Sequence, residues 1–160
     1  MNLSELDAEI LEVEDQERRL VFRDFTHGDA LDLGLHIIAL AMADGVGIVA
    51  DVTCDGRCLF RHAMAGMSME SNALIRCKQN TMQITGISSL LVYLRCARYG
   101  MDYPACRGAA QADHASCGGG FPLRRHDVGI FGYVTVSGYS DRADHALVVR
   151  ALSVFCGHGL

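Results

Sequence analysis

Two cations and a run of three glycines are the first residues in this sequence that could bind a ligand. Arg76 and Lys78 lie on one predicted helix. Either could contact an anion, or both could be solvated, because residues two apart on a helix diverge. Gly118, Gly119 and Gly120 can expose backbone N–H groups and adopt left-handed conformations. They indicate either a turn that approaches a ligand or a hinge before a strand.

Asp144 and His145 fall in the first turn of the last predicted helix. The helix dipole favours Asp144 there whatever its role, and it disfavours the charged form of His145. His145 is therefore a candidate neutral base or ligand, or a bystander. We expect the glycine run, this helix start and the helix with Arg76 and Lys78 to converge on one cleft that favours an anionic group. In the alternative, the glycines only turn the chain and Asp144 only caps a helix.

The best metal-ligand spacing in the sequence is His114-x-x-Cys117, with Cys106 upstream in the same predicted loop, 101–120. Zinc sites normally show two close ligand pairs, so we predict no metal site. The cysteine count is seven, and Met1 to Glu17 is acidic without a signal-peptide pattern. These features predict a cytoplasmic protein with reduced thiols.

Charge and hydropathy exclude two classes of partner. The formal net charge is -5, from 14 Lys and Arg against 19 Asp and Glu, so we predict no nucleic-acid binding. The longest apolar stretch, Ile37 to Ala43, is far shorter than the roughly 18 residues of a membrane span. We therefore predict no membrane insertion.

An amphipathic helix is predicted at the N-terminus, residues 1–20, ahead of a single domain at 21–160. Its narrow apolar stripe suits docking on another helix, in its own domain or in another subunit. Ser4 followed by Asp7 resembles a capping box. The stripe consists of Leu3, Leu6, Ile10 and Val13.

A second helix is predicted between Thr26, which resembles an N-cap paired with Asp29, and Gly45, a left-handed C-terminal residue. Its predicted inward face consists of Leu31, Leu35, Ile38 and Met42, widened by Ala30, Gly34, Ile37 and Ala41. On the later helix at 68–85, the predicted inward residues are Leu74, Cys77, Thr81 or Met82, and Thr85.

Two hairpins and one short strand form the predicted sheet. Asp55-Gly56 is a strong type I′ turn signal between 47–53 and 57–64, and it would set Val52 opposite Leu59 and Asp51 opposite Phe60. The second hairpin, 121–137, turns at 126–127, with Val128, Ile130, Val134 and Val136 on one face. The short strand is 21–25. The fold class is therefore α+β, with a mostly antiparallel sheet of about five strands covered by helices.

The chain also resembles a family of small α/β proteins within the HbpS/GlcG-like group, the haem-degrading domains. The resemblance covers about residues 22–155. Its motifs are Phe25-Thr26-His27, Leu33-Gly34, Ala50-Asp51-Val52, Arg76-Cys77-Lys78, Ser88-Ser89, Gly119-Gly120-Phe121-Pro122, Val134-Thr135-Val136-Ser137-Gly138 and Asp144-His145-Ala146-Leu147-Val148-Val149. It implies a profilin-like three-layer fold, a homo-oligomer larger than a dimer, and haem as a candidate cofactor.

Three functions are compatible with these residues. The first is a cytosolic protein that interacts with haem or a related tetrapyrrole. A more specific version of this hypothesis is that the protein degrades the tetrapyrrole. Its candidate iron ligands are His27, His62, His114, His126 and His145. The second is an enzyme or binding protein for a small anionic metabolite, with His145 or Asp51 transferring protons. The third is a non-catalytic assembly module, which the N-terminal helix favours. No complete catalytic set is visible, so no catalytic residue is assigned.

Overall fold

The computed structural model describes residues 1–100 and 113–157, and within these ranges the chain forms five helices and four strands. The helices are α1 Leu3–Arg19, α2 His27–Asp44, α3 Met69–Thr85, α4 Ser89–Tyr99 and α5 Asp141–Gly157. The strands are β1 Val49–Cys54, β2 Arg57–Ala63, β3 Gly120–Arg125 and β4 Gly129–Ser137. Most of the predicted loop at 101–120, including Cys106, lies outside the described residues.

The sheet is antiparallel with the strand order β2-β1-β4-β3. Helices α2 and α5 pack on one face, α3 packs on the other, and α4 contacts the β3 edge. The predicted α+β class and helix-covered sheet are confirmed. The predicted count of about five strands is one too high, because Phe22 forms only an isolated parallel bridge to Arg125.

The first hairpin turns at Asp55-Gly56, where φ is 51° and 76° as a type I′ turn requires. Its predicted register is wrong beyond the turn, since Val52 pairs with Phe60 and Asp51 pairs with Arg61. A β-bulge at Val52/Thr53 inserts one residue and shifts the pairing. In the second hairpin a similar irregularity follows Leu123, and Ile130 on β4 is exposed rather than buried with Val134.

Helix α2 is capped as predicted, by Thr26 with Asp29 and by Gly45 in the left-handed conformation. Its predicted inward face is correct only in part, because its small residues and Ile37 are buried, whereas Leu31, Leu35 and Met42 are 48%, 53% and 67% exposed. The buried residues are Ala30, Leu33, Gly34, Ile37 and Ala41. Small side chains let the helix approach the sheet so closely that a Cβ on Gly34 would overlap the ring of Phe60.

Helix α1 docks within its own chain, where Leu6, Ile10 and Val13 pack against a leucine face of α4. Leu3 is exposed and does not contribute to this cluster. The helix begins two residues earlier than predicted. Asn2 is its N-cap and shares a capping box with Glu5, so the predicted pair of Ser4 and Asp7 is wrong.

Helix α3 buries only part of its predicted inward face. Ile75, Lys78, Thr81 and Met82 are buried, whereas Leu74, Cys77 and Thr85 are only half-buried. The last helix, α5, begins after Ser140, whose Oγ accepts a hydrogen bond from the amide of Ala143. Among the described helices, none is long and apolar enough to cross a membrane.

Candidate functional site

A cleft of about 240 Å³ opens where the N-terminal half of α3, the end of β4 and the start of α5 meet. Three carboxylates, one ammonium group, several hydroxyls and one thiol line it. The charged residues are Glu70, Lys78, Asp141 and Asp144. The hydroxyl groups come from Ser71, Ser137, Tyr139 and Ser140, and the thiol comes from Cys117.

Lys78 is the most unusual residue of the cleft, because its side chain is only 2% exposed. Its Nζ donates a hydrogen bond of 2.8 Å to the carbonyl oxygen of Val136 on β4. The nearest carboxylate oxygen, Oδ2 of Asp144, is 3.9 Å away, which is too long for a hydrogen bond. An ammonium group has three donors, so Lys78 retains hydrogen-bonding capacity towards the cleft.

Asp144 is held at the opposite wall by backbone contacts. Its carboxylate accepts hydrogen bonds from the amides of Gly138 at 3.3 Å and Tyr139 at 3.2 Å. Burial raises the pKa of Asp144, while Lys78 and these two amides act in the opposite direction. The resulting pair of opposite charges links α3 to α5 across the end of the sheet.

None of the three glycines is among the residues that line the cleft, and each has a close contact with a neighbouring residue. An added Cβ on Gly118 would overlap the carbonyl of Asp141, and one on Gly119 would overlap that of Val136. A Cβ on Gly120 would lie 2.7 Å from Cε of Met82. The Gly119 carbonyl accepts from Val136, and the Gly120 amide donates to Ser89. These contacts explain the glycines as packing residues; a ligand role for them stays a prediction.

Besides the three glycines, two further predicted site residues do not line the cleft. Arg76 is exposed on the outer side of α3. His145 is 4% exposed and its Nε2 lies 2.7 Å from Oε1 of Gln16 on α1. Burial lowers the pKa of His145 to about 4, so the ring is neutral at pH 7. The structure thus brings Lys78 and Asp144 together at the cleft, with Gly119 behind them, and separates Arg76 and His145 from it.

The electrostatics of the cleft differ from the simple expectation of an anion site. Asp141 and Asp144 occupy the first turn of α5, where they offset the positive end of the helix dipole. With Glu70 they outnumber Lys78, so the lining carries an excess of negative charge. An anionic group would therefore interact favourably only next to the Lys78 ammonium.

A second polar cluster lies between α3 and the other half of the sheet, around the buried carboxylate of Asp51. Asp51 accepts hydrogen bonds from Thr53 at 2.6 Å, Gln79 at 2.8 Å and Arg61 at 3.2 Å. The Cys58 thiol also lies 3.4 Å from it. The carboxylate is fully satisfied, which suits a structural link better than proton transfer. The only sequence signal for this cluster was an acidic residue inside an apolar strand.

The His114–Cys117 segment runs along α3, where the Ala115 amide donates to Oγ1 of Thr81 at 3.1 Å. Burial raises the pKa of the Cys117 thiol, so it is not a thiolate at pH 7. Nδ1 of His114 is buried and has no hydrogen-bond partner among the described residues. Within those residues, no three His, Cys, Asp or Glu side chains are grouped to hold a metal ion.

The fold and this cleft define a small α+β domain with helices on both faces of an antiparallel sheet. The chain belongs to the HbpS-like family, described as haem degrading protein HbpS-like, whose family model matches residues 25–153. It is 37% identical over 148 residues to a UPF0303 protein of Streptomyces coelicolor, covering 92% of this chain and 94% of that protein.

Several solved structures share the fold. The crystal structure of the Ybr137w protein matches with a TM-score of 0.83 and 25% identity, covering 93% of this chain and 88% of that one. The crystal structure of a PduOC:Heme complex matches with a TM-score of 0.67 and 19% identity, covering 81% of this chain and 93% of that one. Because the PduOC:Heme complex is only 19% identical to this chain, the match shows a shared fold alone.

Proposed function

We propose that this protein binds haem or a related tetrapyrrole in the cytoplasm. The observation that carries the proposal is the match of residues 25–153 to the HbpS-like family of haem degrading proteins. The shared fold of the PduOC:Heme complex supports it. The typical pocket for a drug-sized ligand is roughly 300–1,000 Å³. The 240 Å³ cleft is smaller, so the macrocycle would lie outside it.

The histidines differ in their fitness to ligate iron. A ligating imidazole must be neutral and must present a free ring nitrogen. His145 is neutral, but its buried ring is bonded to Gln16 and packs near Phe121. His27, His62 and His126 are exposed on the surface. Among the described residues, Nδ1 is buried and unpartnered in both His114 and His145. His114 is the more exposed of the two, half-buried against 4%, so we assign it as the candidate axial ligand.

Haemin titration tests the proposal, with the Soret band as the readout. We expect a sharp band that saturates at one haemin per chain and is lost or shifted in His114→Ala. The matched control is His126→Ala on the exposed β3–β4 turn, which should behave as wild type. Broad absorbance without saturation would indicate adsorption, and an unchanged band in His114→Ala would exclude that ligand. If the protein also degrades haem, the band will decay faster than free haemin when reductant and oxygen are added.

The proposal includes a homo-oligomer of more than two subunits. The exposed side chains of Leu31, Leu35 and Met42 form an apolar outer face on α2, which supports it. Light scattering at micromolar concentration should give a mass above that of a dimer, and Leu35→Glu should reduce it. A monomeric mass for the wild type would refute this part of the proposal.

A second candidate is a small metabolite with an anionic group, and the buried ammonium of Lys78 at the cleft favours it. Because Glu70 and Asp141 also line the cleft, a metabolite that carries a positive charge as well would match the lining better than a simple anion. Calorimetry with amino acids and with the corresponding deaminated carboxylates tests this. Tighter binding of the amino acids is expected, and the absence of binding by either set would exclude the candidate.

A further inference from the structure

A second recess, of about 430 Å³, lies at the junction of α1, α4 and β3, away from the cleft. We call it the arginine groove, after Arg18, Arg95 and Arg124 in its lining. Its remaining lining residues are Glu14, Glu17, Ile87 and Leu91. Its volume lies within the usual range of small-molecule sites, roughly 300–1,000 Å³.

Arg124 is the central cation of the arginine groove. Its Nη2 donates to the carbonyl of Gly86 at 2.7 Å and to Oε1 of Glu17 at 3.2 Å. Its other terminal nitrogen, Nη1, is buried and has no hydrogen-bond partner in the part of the chain that the structure describes. A guanidinium presents its donors in a planar fork that matches a carboxylate, so one side of this fork is unused.

The charges around Arg124 leave an excess of positive charge in the lining. Glu17 is 7% exposed, and its two oxygens also accept from the amide and hydroxyl of Ser88. Glu14 pairs with Arg95 at 3.0 Å. Arg18 is exposed, and its ion pair within the described residues is with Asp15 on the surface. Exposed ion pairs of this kind contribute little to stability. Among the residues that line the groove, three guanidinium groups accompany two carboxylates.

The rest of the lining is apolar and consists of Leu91 and Ile87. Leu91 belongs to the hydrophobic cluster that joins α1 to α4, and Ile87 packs against that cluster. A cationic rim over an apolar floor selects a ligand with both properties. We propose that the arginine groove binds a carboxylate group carried on an apolar skeleton. The proposal goes beyond haem binding, since it requires neither iron nor a histidine. Glu14, Glu17 and Arg18 also lie before residue 25, where the family match begins.

Two sources could supply this chemistry, a propionate side chain of a tetrapyrrole or an open-chain carboxylate. The probes are iron-free protoporphyrin, its dimethyl ester and decanoate. The variant is Arg18→Gln combined with Arg124→Lys, which keeps a positive charge beside the buried Glu17 but removes the fork. The control is Arg57→Gln, at an exposed arginine on β2 far along the sheet from β3. Circular dichroism confirms that each variant is folded.

We expect the wild type and Arg57→Gln to bind protoporphyrin or decanoate, and the double variant to bind about tenfold more weakly. The dimethyl ester should bind as weakly to the wild type as the diacid binds to the double variant. Preference for protoporphyrin identifies the tetrapyrrole source, and preference for decanoate identifies the open-chain source. Equal affinity of diacid and ester, unchanged binding by the double variant, or no binding of either acid would overturn the proposal. Because no probe contains iron, these results are independent of the Soret titration.

Discussion

The two faces of the sheet are covered in opposite ways. Under α2 and α5 the packing is apolar, with residues such as Leu33, Ile37, Val134 and Leu152 in one continuous cluster. At the interface with α3, Asp51 and Thr135 of the sheet and Lys78 of the helix are buried. An apolar face is stabilised by any close packing, whereas buried charges are tolerated only when each has a partner. The α3 face therefore depends on a few specific contacts, and it is the face that borders the cleft.

The largest expected effect of a single substitution is on the α3 face. Lys78→Ala leaves Asp144 buried without its counter-charge and the Val136 carbonyl without its donor. Removing one partner of a buried ion pair costs about 3–5 kcal/mol. Urea denaturation should show this loss in the free energy of unfolding, and Arg76→Ala at the exposed neighbouring position should change it by less than about 0.5 kcal/mol.

The double variant Lys78→Met with Asp144→Asn sharpens this test. Removing both charges should recover much of the stability that Lys78→Ala loses, because no uncompensated charge remains buried. If Lys78→Ala alone is as stable as the wild type, the contrast between the two faces is wrong.

A pH dependence should come from His145, which lies at the border with α1. Its pKa is about 4 in the folded chain against 6.5 when unperturbed, so the unfolded chain binds the proton first as the pH falls. The stabilisation is complete above pH 6.5 and is lost between pH 6.5 and 4. At about 1.4 kcal/mol per pKa unit, the loss amounts to roughly 3 kcal/mol.

Comparing the wild type with His145→Gln isolates this contribution from that of other titrating groups. The variant should lose less stability between pH 7 and 4 than the wild type does in the same denaturation series. His126→Gln, at an exposed position, should follow the wild type. Parallel pH profiles for the wild type and His145→Gln would contradict the assignment.

The smallest expected effect tests the apolar face. Gly34→Ala should destabilise the protein by about 1–3 kcal/mol, because its Cβ must displace the ring of Phe60. Asp32→Ala, at an exposed polar position of the same helix, should cost less than about 0.5 kcal/mol. Thermal denaturation of the two variants compares them directly. A loss for Asp32→Ala as large as that for Gly34→Ala would contradict this account of the close packing at Gly34.

Several features of this protein follow from the sequence alone, because they depend on local chemistry. Thr26 and Asp29 form the predicted capping box, since both partners lie within one helical turn. Asp55-Gly56 forms the predicted turn, since that dipeptide tolerates positive φ. The stripe of Leu6, Ile10 and Val13 is buried on α1 as its spacing indicates. In the first two cases the determining contacts lie within a few residues of one another. For the stripe, the local spacing sets which face of α1 is apolar, and α4 covers that face.

Other features were decided only by the tertiary structure. On α2 the sequence predicted both the small residues and Leu31 and Leu35 to face inward, and the fold buries only the part that packs closely against Phe60. Lys78 is buried because its acceptor lies on β4, 58 residues later in the chain. The arginine groove likewise joins α1, α4 and β3. Local propensity and periodicity carry no information about contacts between residues that are far apart in the chain. Only the tertiary structure therefore shows which polar groups meet.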